Sequence, residues 1–157
     1  MTQTNEKSSS AQNTYTDAEL IKHFPGFKNN YPTINGVTLH YVEGGSGMPL
    51  ICLPGWPQTW YSYPPVYAAA YNDADSIRAS NGWYQTFGQD IEDAKTYQQL
   101  TMPVLGIGSY ISYNYMKMGM SAVASNLKMI EISDSGHYLY EEQPEQVIDA
   151  VLSFLAV

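Results

Sequence analysis

The chain has 157 residues, enough for one domain with a real core. Hydrophobic residues make up 44% and charged residues 14%, a balance that excludes a disordered chain. Fifteen acidic side chains against seven basic ones give a formal charge of −8, so the clustered Lys and Arg that grip a phosphate backbone are missing and nucleic acid is excluded as a partner.

Residues Met1 to Thr14 are rich in Ser, Thr, Asn and Gln and read as a mobile tail. They lack the apolar core of a signal peptide, and no apolar run elsewhere is long enough to span a bilayer. A soluble cytoplasmic protein without a membrane partner is expected. Asp17 to His23 predicts a short helical turn capped by Thr16 or Asp17. From Pro32 to Val42 the pattern predicts two strands joined at Asn35-Gly36, a strong hairpin signal. Gly44-Gly45-Ser46-Gly47 is a connecting turn, because the Gly-Lys-Ser/Thr ending of a phosphate loop is absent.

Met48 to Leu53 is a continuous apolar run and predicts a strand buried on both faces. Its Cys52, the single cysteine, reads as a small buried hydrophobe; one thiol makes no internal disulfide, which a reducing compartment accommodates. Pro64 to Leu100 is helical in pattern. Pro65 suits a first turn, Val66, Ala69 and Ala70 share a face, and a second helix runs from about Asp75 through Tyr84. Pro103 to Gly108 predicts another buried strand, Gly119 to Ser125 a helix, and Lys128 to Ile132 a short strand. Met116, Met118 and Met120 alternate at period two and read as a wall or flexible connection rather than a helix. A loop bearing His137 follows, then an amphipathic helix over Pro144–Leu155 with Val147, Ile148, Val151, Leu152 and Leu155 at helical spacing. Strand–helix alternation implies a parallel sheet covered by helices.

Three stretches carry more than pattern. The first is Asn35-Gly36-Val37-Thr38-Leu39-His40-Tyr41, followed by Leu53-Pro54-Gly55-Trp56-Pro57-Gln58-Thr59-Trp60. The second is Met102-Pro103-Val104-Leu105-Gly106, followed by Ser135-Gly136-His137-Tyr138-Leu139, Glu141 to Glu145 and Phe154-Leu155. The third is Arg78-Ala79 with Trp83-Tyr84-Gln85-Thr86-Phe87. In this order they resemble the opening segments, the closing segments and the late helical cap of α/β-hydrolases of the epoxide-hydrolase and haloacid-dehalogenase-like branch.

That resemblance implies an α/β fold, specifically an incomplete α/β-hydrolase fold with a mostly parallel sheet, an N-terminal hairpin and a remnant helical cap. It implies hydrolysis of an epoxide, haloacid or ester through a covalent intermediate. The Trp56 amide, after Gly55 and before Pro57, matches one donor of the oxyanion hole, which needs fixed N–H groups aimed where charge develops. A Pro54-Gly55 pair replaces the usual His-Gly, and the backbone donor survives that change. His137 matches the general base, a task that suits a side chain whose ordinary pKa lies near neutrality. Tyr84 matches the cap tyrosine that donates a hydrogen bond or proton to the opening epoxide oxygen. Tyr67 and Tyr71, on the preceding helix, could line the same pocket.

One part of the pattern is missing. The fold presents its nucleophile on a strand–turn–helix elbow, and neither Gly-x-Ser-x-Gly nor Gly-x-Asp-x-Gly occurs between Pro57 and Pro103. One strand–helix–strand crossover takes roughly 30 or more residues, and Gln58 to Met102 has room for little beyond one. This reads as an internal deletion near Tyr63-Pro64. No Asp or Glu lies between Pro103 and Ile130 to complete a triad. The organisation expected is therefore 1–27 as a mobile N-terminal segment, 28–63 as N-terminal strands and oxyanion turn, 64–100 as remnant cap helices, and 101–157 as C-terminal strands and helices with His137.

Two functions compete. One is a hydrolase-family chain acting on a small-molecule substrate, impaired by lack of its nucleophile; the other is a non-catalytic binding or interaction protein, or a truncated gene product. No cofactor is implied, and no metal, because His23, His40 and His137 are far apart and lack ligand spacing. Loss of central strands leaves exposed sheet edges, so a homo-oligomer is a further expectation.

Overall fold

A computed structural model describes residues 15–55, 58–62 and 64–156. The tail expected over Met1–Thr14, the Trp56-Pro57 pair of the oxyanion turn and Tyr63 lie outside the described residues. The chain divides into two compact units, Met1–Ile77 and Arg78–Val157.

The first unit opens with helix α1 (Asp17–Leu20), where the Thr16 hydroxyl accepts the Glu19 N–H at 3.3 Å and so fills one orphan donor of the first turn. Strand β1 (Phe27–Asn30) pairs antiparallel with β4 (Tyr41–Gly44), and β2 (Thr33–Ile34) pairs antiparallel with β3 (Val37–Thr38). The expected hairpin turn forms at Asn35-Gly36. Both residues have positive φ, 52° and 81°, the geometry in which the turn's twist matches that of the strands. Helix α2 (Pro64–Ala70) buries Val66, and α1 buries Leu20.

Helix α3 (Ala74–Ala94) runs from the first unit into the second. The Asp73 carboxylate accepts the N–H groups of Asp75 and Ser76, each at 2.9 Å, and the Ser76 hydroxyl at 2.6 Å. The Ser76 hydroxyl and amide hold the Asp73 carboxyl below its ordinary range. None of the α3 residues is buried, and Trp83 remains 68% exposed.

In the second unit β5 (Val104–Ser109), α4 (Tyr113–Val123) and β6 (Leu127–Ile132) form a strand–helix–strand element with parallel strands in continuous register. Helices α5 (Leu139–Glu142) and α6 (Pro144–Leu155) close the chain. Both α4 and α6 pack on the strand pair, and Ala124, Ile132, Val147 and Ala150 are its buried apolar residues. Gly108 allows the close approach of α4: a Cβ there would lie 2.9 Å from the Tyr113 Cα.

Three expectations are corrected. Met48–Leu53 is not a strand, and Met48, Ile51 and Leu53 are 95%, 80% and 82% exposed, with Cys52 exposed among them. A strand buried on both faces needs neighbours at both edges and covering layers, and among the described residues none pairs with this run. Nor is the sheet structure among the described residues mostly parallel: one strand pair is parallel and two are antiparallel, with one further parallel bridge between Leu100 and Ala124. The third correction concerns the methionines, which lie within helix α4. Met116 and Met120, four residues apart, are half-buried on one face, while Met118 on the opposite face is 73% exposed. The fold is thus mixed α and β with a small parallel sheet, compatible with part of an α/β fold. Among the described residues no helix is long and apolar enough to cross a membrane.

Candidate functional site

His137 stands in the loop that leaves β6 and enters α5. The loop opens with a turn at Ser133-Asp134, where the Asp134 φ of 54° takes the chain through the left-handed region. Ser135 is buried, at 3% exposure, and pins the turn inward, while His137 is exposed beyond it. The glutamate at the end of α5 reaches back across the loop. Glu142 accepts the Gly136 N–H at 2.6 Å with Oε2 and the Tyr138 N–H at 2.9 Å with Oε1. One carboxylate therefore clamps the amides on both sides of His137. Those two bonds, the Gly136 bond first and the Tyr138 bond second, hold the Glu142 carboxyl below its ordinary range, and the nearby His137 charge adds to them.

Two glutamines of the closing segment complete the frame. Gln143 Nε2 donates to the Asp134 carbonyl at 2.9 Å, and Gln146 Nε2 donates to the Ser133 carbonyl at 3.3 Å. The His137 ring meets the Tyr138 ring edge-on, centroids 5.2 Å apart. A carboxylate-clamped loop with an exposed imidazole can present a base to water or substrate.

The other expected site residues sit as follows. Tyr84 lies on α3, 55% exposed, its ring 5.3 Å from that of Phe87. Gly55 lies in the first unit, where an added Cβ would meet nothing within 4 Å, and its carbonyl accepts the Gln58 N–H at 2.8 Å. Gln58 Nε2 is buried without a hydrogen-bond partner among the described residues. Trp56 and Pro57 lie outside the described residues.

Sequence reasoning missed two features. The first is a polar and aromatic cluster around Asp17 in the first unit. Its carboxylate accepts the Trp60 indole N–H at 2.8 Å and the Tyr31 hydroxyl at 2.9 Å, while its backbone carbonyl accepts Asn29 Nδ2 at 3.1 Å. His40 stacks on Tyr31 at 4.7 Å and meets Asn29 Oδ1 through Nε2 at 2.9 Å. Loss of water around the hydroxyl, then the bond to Asp17, hold the Tyr31 phenol above its ordinary range, although the residue as a whole is 55% exposed. The sequence marked Asp17 as a cap residue and His40 and Trp60 as parts of the resembling stretches, with nothing to join them.

The second is a cleft of about 540 Å³ in the second unit, lined among others by Gln99, Tyr113, Lys117, Ser121, Leu127 and Met129. The Lys117 ammonium lies 5.9 Å from the Tyr113 ring centre, within the reach of a cation–π contact. Helical spacing of Tyr113, Lys117 and Ser121, four residues apart, was the available signal.

Comparison with known proteins finds no protein-family model that matches the chain. A stretch of 36 residues, 23% of the chain, is 56% identical to the soluble epoxide hydrolase of Corynebacterium sp. (strain C12). The match spans 13% of that protein's length. This short likeness suggests a relationship to α/β-hydrolase-like proteins and reaches no further along the chain.

Proposed function

We propose that the chain derives from an α/β-hydrolase of the epoxide-hydrolase kind and retains its general-base loop without its nucleophile. The observation that carries this reading is the likeness to the Corynebacterium enzyme. The His137 loop adds support, because the Glu142 clamp fixes the backbone on both sides of an exposed imidazole. In this reading His137 holds the position from which the parent's base takes a proton from the water that hydrolyses an ester on a carboxylate nucleophile. Tyr84 holds that of the parent's donor to the oxygen of the opening ring, and the Trp56 amide after Gly55 that of a donor to the developing oxyanion. The substrate class is an epoxide, haloacid or ester, and the fold an incomplete α/β-hydrolase fold with an internal deletion near Tyr63-Pro64.

A base without a nucleophile rarely sustains multi-step chemistry, so turnover by this chain is expected to be near zero. The second reading, a non-catalytic binding protein, is favoured by one observation: no nucleophile-elbow motif occurs between Pro57 and Pro103. The deciding experiment follows product release from a panel of epoxides, haloacids and aryl esters, beside His137→Ala. Turnover abolished by the substitution means that another residue supplies the nucleophile and the chain is an enzyme. Absence of turnover from both proteins leaves hydrolase ancestry without hydrolase chemistry.

A further inference from the structure

Strand β5 has one neighbour, β6, and among the described residues no strand pairs with its other edge. Backbone groups along a strand address its two edges alternately. The Val104 N–H donates to the Asn126 carbonyl at 2.9 Å, so Val104, Gly106 and Gly108 face β6. The N–H and C=O groups of Leu105 and Ile107 therefore face the open edge. Both residues are half-buried, and their row of outward N–H and C=O groups is a template for pairing with another chain.

The side chains give the same answer. Exposed edges are normally protected by charge, proline or a bulge. Strand β6 carries exposed Lys128 and Glu131, whereas β5, Val-Leu-Gly-Ile-Gly-Ser, has none of these devices. Its composition is that of a strand buried on both faces, where charged gatekeepers find no room.

We infer that this edge pairs antiparallel with the same edge of a second copy of the chain, about a twofold axis at Gly106. With Gly106 opposite itself, Leu105 of each copy faces Ile107 of the other. Each such pair is of the hydrogen-bonded kind, exchanging an N–H···O bond in both directions. The outward groups of Leu105 and Ile107 are then all satisfied, with none left over. The arrangement is closed and self-complementary, as a twofold interface requires. No charged side chain lies on β5, so the axis brings no like charges together. This goes beyond the proposed chemistry and does not depend on it.

Sedimentation velocity of the protein should give twice the 17.5 kDa chain mass. Ile107→Pro removes an outward donor and leaves the bonds to β6 intact, a setting in which a strand tolerates proline. It should sediment as a monomer with an unchanged far-ultraviolet circular dichroism spectrum. A second measurement fixes the register even where that variant fails to fold. In a Cys52→Ser background, chains carrying Leu105→Cys are mixed with chains carrying Ile107→Cys. Opposed residues of a hydrogen-bonded pair have Cα atoms about 5.5 Å apart, within the span of roughly 4.4–6.8 Å that a disulfide bridges. The mixture should cross-link under mild oxidation, and neither chain alone should do so. Three results overturn the inference: a monomer at every concentration, a dimer that survives Ile107→Pro, or cross-links formed equally well by single-type chains.

Discussion

Glu142→Gln is the sharpest probe of the His137 loop. The carboxylate offers an acceptor oxygen to each of two amides, at 2.6 Å for Gly136 and 2.9 Å for Tyr138. A carboxamide keeps one acceptor oxygen and presents an NH₂ group at the other position, a donor facing a donor. One of the two loop amides must therefore lose its partner. The exchange protection of that amide should fall by about two- to tenfold, the ratio set by the net worth of a single hydrogen bond. Acid should imitate the substitution. Because Glu142 titrates below its ordinary range in the folded chain, its stabilising contribution is complete above the unfolded carboxyl value of about 4.3 and is lost as pH falls through the lower folded value. Amide hydrogen exchange followed by NMR, corrected for intrinsic rates, reads both effects at Gly136 and Tyr138. Equal protection in the wild type and Glu142→Gln, with no loss on acidification below about pH 4, would refute the clamp. His137 would then owe its setting to Ser135 and the glutamines alone.

Two further perturbations test the packing. Gly108→Ala places a Cβ 2.9 Å from the Tyr113 Cα, and the resulting overpacking, about 1–3 kcal/mol, outweighs the roughly 0.5–1 kcal/mol gained by removing glycine's freedom. Gly82→Ala in α3, where nothing lies within 4 Å, gains that smaller amount without a clash. Urea denaturation of the two variants should move in opposite directions, and a Gly108→Ala midpoint that rises with Gly82→Ala contradicts the close approach of α4. In the first unit, Asp17→Ala removes the acceptor of Trp60 and Tyr31, and the Tyr31 phenol should titrate nearer its ordinary value, though only in part because loss of water is the larger cause. An NMR titration of the Tyr31 ring carbons reads this directly; an unmoved titration means that Asp17 does not govern the hydroxyl.

Local signals were legible and distant partnerships were not. The Asn35-Gly36 turn, the cap of α1 and the start of α6 at Pro144 each depend on residues within one turn or hairpin; the turn and the α6 start were placed from the sequence, and the cap was narrowed to Thr16 or Asp17. The Asp17 cluster joins residues 12, 14 and 43 positions apart, so neither a period nor a motif announces it. The Glu142 clamp is closer in sequence yet was equally hidden. A glutamate in Glu141-Glu142-Gln143 looks like a solvated helix charge until the loop folds back over it. The methionines of α4 failed for another reason. Three residues at period two are too few to outvote a helix, since Met116 and Met120 satisfy the helical period as well.

The failed strand at Met48–Leu53 and the open edge of β5 express one physical fact from two sides. Both sequences are mostly apolar, uncharged and preceded by Gly or Pro, the composition of interior strands, yet an apolar run specifies burial without specifying what covers it. The outcome then depends on whether a backbone ladder is already in place. Strand β5 has one, because α4 returns the chain to β6 within a short crossover and fixes its register from Val104 to Ser109. Its remaining outward groups are defined in number and direction, and that is why a partner and a register can be named for it. Met48–Leu53 has no ladder on either side among the described residues, so its apolar side chains carry no register at all. A strand edge becomes a specific interface only after its other edge is paired.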